Sequence, residues 1–274
     1  MVNDLFRVES VGYHYPDGRV GLAGVSLSVT EDESLVILGA NASGKTTLVQ
    51  MLAGLIFPES GVVEAFGSRL TEAALEQPDF SREFRQRVGV LLQNTDAMLF
   101  NPTVYDEIAF GPLQLDLSAN QVRQRVDDMI SLFGLEPIAD QPPHQLSGGE
   151  RKKVALAALL AVSPQVLLMD EPTSGLDPRS QRWFVELLTE LRELGKTIVT
   201  TTHDLHVADE VADRIIVLGE DHAVAAEGPR EQILTDLDLL LSVNLVHEHS
   251  HLHDGVIHIH PHLHLHTHLH GHEH

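Results

Sequence analysis

At 274 residues the chain is long enough for one large α/β domain with a satellite subdomain. It has no cysteine, which excludes disulfides and thiolate metal sites, and forty acidic against eighteen basic residues give a formal charge of −22 that repels nucleic-acid phosphates. The longest apolar run, 154–162, falls far short of the ~20 residues a spanning helix needs, and Met1–Arg7 carry an early acid with no apolar core, so neither a transmembrane helix nor a secretory leader is expected.

Between residues 5 and 37 polar and apolar positions alternate as in short strands, with Tyr15-Pro16-Asp17-Gly18 as a turn between them. Tyr13 and Tyr15, two residues apart, fall on one face of an extended strand. The apolar run Leu35-Val36-Ile37-Leu38 leads into Gly39-Ala40-Asn41-Ala42-Ser43-Gly44-Lys45-Thr46, and a helix-like segment begins at Thr47 and runs to Ala53. The eight residues from Gly39 fit G-x-x-x-x-G-K-[ST] in full, in the strand–loop–helix context the motif needs. Glycines at 39 and 44 let backbone N–H groups turn inward around a phosphate, and the following helix presents its positive end to the same anion. Lys45 adds a point charge for the β- and γ-phosphates, and the Thr46 hydroxyl can ligate Mg²⁺. Nucleotide binding is therefore expected here.

Val88 to Leu92 reads as a buried strand closed by the polar Gln93. Residues 118–134 carry Val122, Val126, Met129, Ile130 and Phe133 at helical spacing, with Ser118 as a cap. Next comes Leu146-Ser147-Gly148-Gly149-Glu150. Val166-Leu167-Leu168-Met169 is a buried parallel-type strand with Asp170 and Glu171 at its carboxyl end, where α/β folds place ligands. Unpaired buried carboxylates are costly, so this placement points to chemistry. Ser174-Gly175-Leu176-Asp177 follows, and a last core strand, Ile198 to Thr202, ends at His203.

Over roughly residues 3 to 245 this succession resembles the ATP-binding-cassette ATPases, and the stretch Leu146 to Glu150 separates that family from other phosphate-loop proteins. The resemblance implies an α/β fold: a P-loop NTPase (RecA-like) core, an antiparallel β subdomain and an α-helical subdomain at about 95–160 that carries the signature. It implies ATP and Mg²⁺ as cofactors. Tyr15 would stack on adenine, with Tyr13 the alternative. Asp170 would hold Mg²⁺ through water, Glu171 would be the general base, His203 would contact the γ-phosphate, and Gln93 would reach Mg²⁺ and the attacking water. Ser147, Gly148 and Gly149 would contact the nucleotide held by a partner's loop, with Asp177 in the segment that crosses the dimer interface. One complete site would thus take two chains, and the intact set allows a homodimer. The family's fifth signature residue is more often Gln; Glu150 departs from it. The segment Leu99 to Pro112 resembles the corresponding stretch in ATPases of energy-coupling-factor importers. With one phosphate loop, no long coiled-coil insertion and the acidic surface, nucleic-acid-handling members of the superfamily fit poorly.

Thirteen of the eighteen histidines lie at 247–274, in a His-rich tail (246–274) set apart from the ATPase domain (1–245). Imidazoles without thiolates suit Ni²⁺, Co²⁺, Zn²⁺ and Cu²⁺. Asp254-Gly255 is a two-residue hairpin signal flanked by period-2 runs. Such a turn sets His251 against His258, His249 against His260, and His247 against His262, close enough for paired imidazoles to share an ion. A solubilising tail with incidental metal affinity is the bland alternative.

Taken together, these features predict the ATP-hydrolysing subunit of a cobalt or nickel importer, peripheral at the cytoplasmic face of the membrane. It would work as a dimer beneath a transmembrane coupling subunit and substrate-binding membrane subunits. Zinc or a vitamin is the alternative cargo, and a soluble ATPase with a metal-storing tail is the alternative of another class.

Overall fold

The computed structural model describes residues 4–253 and 256–262, with side chains through Val246. A four-stranded antiparallel sheet is built from β1 (Asp4–His14), β2 (Val20–Thr30), β4 (Ser60–Ala65) and β5 (Ser68–Arg69), in the order β2-β1-β4-β5, while β3 (Ser34–Gly39) leaves it for the central sheet. That second sheet has six strands: β3, β6 (Val88–Leu91), β7 (Val166–Asp170), β8 (Thr197–Thr202), β9 (Arg214–Leu218) and β10 (Val224–Pro229). Its order is β10-β9-β3-β8-β7-β6, parallel except for the antiparallel edge strand β10.

The central sheet is covered on both faces, which is why β3, β7 and β8 are buried at every position and read as unbroken runs rather than alternations. It divides two hydrophobic cores. Val36, Leu38, Leu167 and Met169 face a core shared with the helical subdomain, whereas Leu35, Ile37, Val166 and Leu168 face one shared with the antiparallel sheet and the helix Lys45–Leu52. The period-2 alternation of the pleat makes that division. The helical subdomain contributes Val104–Phe110, Ala119–Phe133 and Gly148–Ala161 to the first core.

β1 and β2 are eleven residues each rather than the short strands expected. Register shifts between Val8 and Val11, and a positive φ of 47° at Ser10, reset the side-chain alternation partway along β1, so one long strand reads as pieces. Core packing runs through Leu245 and Val246, one residue past the expected boundary. After it, β11 (His247–His253) pairs antiparallel with β12 (Val256–His262), with His247 opposite His262, His249 opposite His260 and His251 opposite His258. The expected turn at Asp254–Gly255 and the histidines of 263–274 lie outside the described residues. Among the described residues no helix is long and apolar enough to cross a membrane.

Candidate active site

Three neighbouring strands of the central sheet, β3, β8 and β7, end side by side, and each delivers one part of the site. From the end of β3 the chain enters the loop Gly39–Thr46. Gly44 has a φ of 104°, and a Cβ there would meet the Gly21 carbonyl oxygen, so the residue must be glycine on both counts. A Cβ on Gly39 would lie 2.8 Å from the Leu218 carbonyl oxygen, so that turn tolerates no side chain either. Ala42 also takes a positive φ, 67°.

Lys45 is buried and points back under the loop, where its Nζ donates to the Gly39 and Ala40 carbonyls at 2.9 Å each. It also stands 3.3 Å from Glu171 Oε1. Burial lowers the Lys45 pKa from its ordinary value, and the Glu171 carboxylate opposes that shift. At the end of β7, Asp170 is 1% exposed, and it tolerates burial because both oxygens are paired. Thr46 Oγ1 donates to one at 2.8 Å and Thr201 Oγ1 to the other at 2.7 Å. Thr201 Oγ1 in turn accepts the Glu171 N–H at 2.9 Å, locking β7 to β8 just where the acids emerge.

Glu171 sits at a φ of 43°, a left-handed backbone unusual for this residue, at the position where the general base is expected. His203 follows β8, and its Nδ1 lies 3.2 Å from Glu171 Oε1, so Nδ1 carries the proton in this pairing. The His203 hydrogen bond, and then the Lys45 charge, hold Glu171 below the usual carboxylate range against the opposing effect of burial. Reciprocally, the bond to Glu171 raises His203 above the ordinary imidazole value.

These groups line a cleft of about 850 Å³. Tyr15, Asn41, Ala42, Gly44, Lys45, Thr46, Thr47, Gln93, Glu171 and His203 all border it; Asp170 lies behind Thr46, and Gly39, Ala40 and Ser43 form the back of the loop. The tyrosine alternatives separate here: Tyr15 borders the cleft and hydrogen-bonds Thr47 Oγ1 at 2.7 Å, while the Tyr13 ring packs edge-on against it at 5.3 Å between centroids. Ser43 Oγ is buried with no hydrogen-bond partner among the described residues, inside a loop whose geometry suits an oxyanion. Together with a buried ammonium and a hydroxyl–carboxylate pair of hard oxygens, the donor set fits a nucleoside triphosphate with Mg²⁺.

Ser147, Gly148, Gly149 and Asp177 stand apart from this cleft. Ser147 caps the helix Gly148–Ala161 in a reciprocal box: Glu150 N–H donates to its Oγ, and Ser147 N–H and Oγ both donate to Glu150 Oε2, at 2.8 and 2.7 Å. Glu150 thus takes the helix-start role that a Ser-Gly-Gly-Glu run has on its own, and those bonds lower its pKa. Asp177 caps the helix Pro178–Glu193, and Ser180 Oγ donates to it at 2.6 Å. Two ties connect the signature to the rest of the site. Arg151 pairs with Asp96, three residues past Gln93, at 2.6 Å. Lys152, buried, donates to the Pro172 carbonyl at 2.8 Å and to that of Ser174.

Sequence reasoning missed Arg19, whose guanidinium lies 5.3 Å from the centre of the Tyr15 ring, and His222, which borders the cleft; Ser174, read only as the start of the segment ending at Asp177, borders the cleft as well. Only Arg19 left a signal, a cation beside a turn that carries an aromatic ring.

A family model described as ABC transporter matches residues 22–174. The chain is 44% identical over 244 residues to the nickel import ATP-binding protein NikO of Rhodobacter capsulatus, covering 88% of this chain and 95% of that one. Among solved structures it is similar to cbiO1 from Clostridium perfringens, described as part of the ABC transporter complex cbiONQ, with a TM-score of 0.74 and 33% identity over 89% of this chain and 95% of the other. It is also similar to the ATP-binding cassette MJ0796 in a dimeric post-hydrolysis state bound to ADP and Pi, with a TM-score of 0.73 and 28% identity over 82% and 98% of the two chains.

Proposed function

The chain belongs to the ABC transporter ATPases, and from that premise we propose that it is the ATP-hydrolysing subunit of an importer that carries nickel or cobalt ions. The observation that carries the ATPase part is the meeting of Lys45, Thr46 with Asp170, Glu171 and His203 at three adjacent strand ends. Similarity to a nickel import protein over most of both chains carries the cargo.

Lys45, held in place by two carbonyls, supplies charge to the β- and γ-phosphates. Thr46 and Asp170 would hold Mg²⁺, with Gln93 at the edge of the cleft beside them. Bound Mg²⁺ neutralises charge on the transferring phosphoryl group. Glu171 accepts the proton of the attacking water once Lys45 and His203 turn from it toward the nucleotide, since both now depress its basicity. His203 then donates to the γ-phosphate. Two copies would face each other so that Ser147, Gly148 and Gly149 of one close on the loop of the other, which accounts for their distance from their own cleft. Asp177 would stand at that interface.

At the cytoplasmic face of the membrane, the segment after Gln93 would meet the coupling subunit. Phe100 and Leu113 are 67% and 63% exposed there, and Phe100 packs edge-on against Phe110. Exposed apolar side chains gathered in the helical subdomain suit an apolar partner helix. The tail pairs His247, His249 and His251 with His262, His260 and His258 along the backbone register, a placement suited to Ni²⁺ or Co²⁺. The test is uptake: vesicles carrying the chain with its co-purified membrane subunits should accumulate radioactive Ni²⁺ or Co²⁺ only with ATP and not with the Glu171→Gln chain. Purification free of any integral membrane subunit, with ATPase activity intact, would leave the soluble reading in its place.

A further inference from the structure

The turn between β9 and β10 carries a side chain that neither the phosphate loop nor the catalytic strand ends explain. Gly219-Glu220-Asp221-His222-Ala223 closes the hairpin with two backbone bonds, Gly219 N–H to the Ala223 carbonyl at 3.0 Å and His222 N–H to the Gly219 carbonyl at 3.1 Å. In three-residue hairpin loops of this kind the last loop residue takes the left-handed conformation, which glycine adopts freely. Here it is His222, with a φ of 63°. A side chain at this position carries a conformational cost that glycine would not.

What the imidazole gains is its place. The His222 carbonyl accepts the Ala23 N–H at 2.9 Å, tying the turn to β2. Two residues earlier on that strand, a Cβ on Gly21 would lie 3.0 Å from the Tyr13 ring and 3.2 Å from the Tyr15 ring, so this part of β2 underlies the aromatic end of the cleft. His222 borders the same cleft as Tyr15 and Arg19, and its tie to Ala23 sets it against the strand that underlies the tyrosines. Its Nδ1 is withdrawn from solvent and has no hydrogen-bond partner among the described residues. A buried polar atom without a partner is destabilising, and so is the backbone that holds it. Backbone strain of this kind clusters where ligands are held, and His222 lines the cleft.

We propose that His222 is a nucleotide-positioning residue, whose imidazole contacts the base-and-ribose half of the bound nucleotide and so sets affinity rather than the chemical step. An imidazole can donate to or accept from the edge of a purine or a ribose hydroxyl. The proposal rests on the nucleotide-binding reading of the cleft.

His222→Gly separates this role from a structural one, because glycine suits the backbone there better than histidine. In the full chain the variant should melt at the parent's temperature or above it. Its KM for ATP should rise about fivefold, the weight of one neutral hydrogen bond, with kcat unchanged. Inorganic tripolyphosphate, which lacks the base and ribose, should compete equally well against both proteins. His222→Asn, which tolerates the left-handed backbone and keeps a donor and an acceptor, should recover part of the loss. An unchanged KM in His222→Gly would overturn the proposal, as would an equal loss for ATP and tripolyphosphate, or a lower melting temperature with a matching fall in kcat. If the parent chain itself failed to bind ATP, the reading of the cleft would fall first and this one with it.

Discussion

Glu171 is flanked by the Lys45 ammonium at 3.3 Å and by His203 Nδ1 at 3.2 Å, and both lower its pKa in the nucleotide-free chain. Glutamine keeps the shape and the acceptor oxygen but cannot take a proton. Glu171→Gln should therefore still bind ATP and hydrolyse it about 10²-fold more slowly or worse, with the dimer trapped closed; turnover at the parent's rate would remove Glu171 from the role of base. The same cluster gives a pH signature. The raised His203 contributes stability that is complete below the unfolded imidazole pKa of ~6.5 and lost as pH rises through its folded value. The lowered Glu171 contributes stability present above its unfolded value of ~4.3 and lost as pH falls through its folded one. Between those limits both act. The melting difference between the parent and His203→Ala, without nucleotide, should thus be largest between the unfolded glutamate and imidazole values, ~4.3 and ~6.5, and shrink as pH rises through the folded His203 value; a constant difference would mean that the pair is not ionised. Lys45 was legible from the loop motif, and Glu171 and His203 from strand ends whose roles the family resemblance supplied. His222 was not, since a histidine in a hairpin turn leaves no periodic mark.

Legibility changes with the element. The helix Ala119–Phe133 was readable because its core positions recur at helical spacing and Ser118 begins it; the capping box with Gln121 and the left-handed Gly134, φ 62°, complete what the pattern starts. β1 was not readable as one strand, because its register shifts break the alternation on which the reading depends. The hairpin of β11 and β12 follows the register that a two-residue turn imposes. Isolated hairpins are marginal, so an ion shared between paired positions is a ready source of order. Titration calorimetry should show reversible Ni²⁺ or Co²⁺ binding near neutral pH that disappears as imidazoles protonate below ~6.5. Replacing His249, His251, His258 and His260 together should weaken it more than replacing four among His264, His266, His268, His270 and His272. Equal losses would leave only a generic chelator.

At the scale of the whole molecule, a sheet covered on both faces was foreseeable from the unbroken apolar runs Leu35 to Leu38 and Val166 to Met169. The ties between segments were not: Arg151 to Asp96, or Lys152 to Pro172 and Ser174, join residues far apart in the chain, and no local pattern encodes such meetings. The proposed dimer makes a prediction at this scale. A mixed dimer with Ser147→Arg on one chain and Lys45→Ala on the other keeps one site with an intact loop and an intact signature. Placing both changes on one chain, opposite an unaltered partner, damages both sites. ATPase activity should survive in the first arrangement and be lost in the second; equal loss in both would mean that the composite site is wrong or that both sites must fire together.

Lys152 grows from the helix that begins with the signature, yet its ammonium grips the carbonyls on either side of Thr173, just beyond Glu171. In the dimer proposed above, that helix serves one nucleotide and Glu171 serves the other. Each protomer is therefore a rocker with a foot in both chambers. News of hydrolysis in one can reach the other through the body of a single subunit, without crossing the seam between the two.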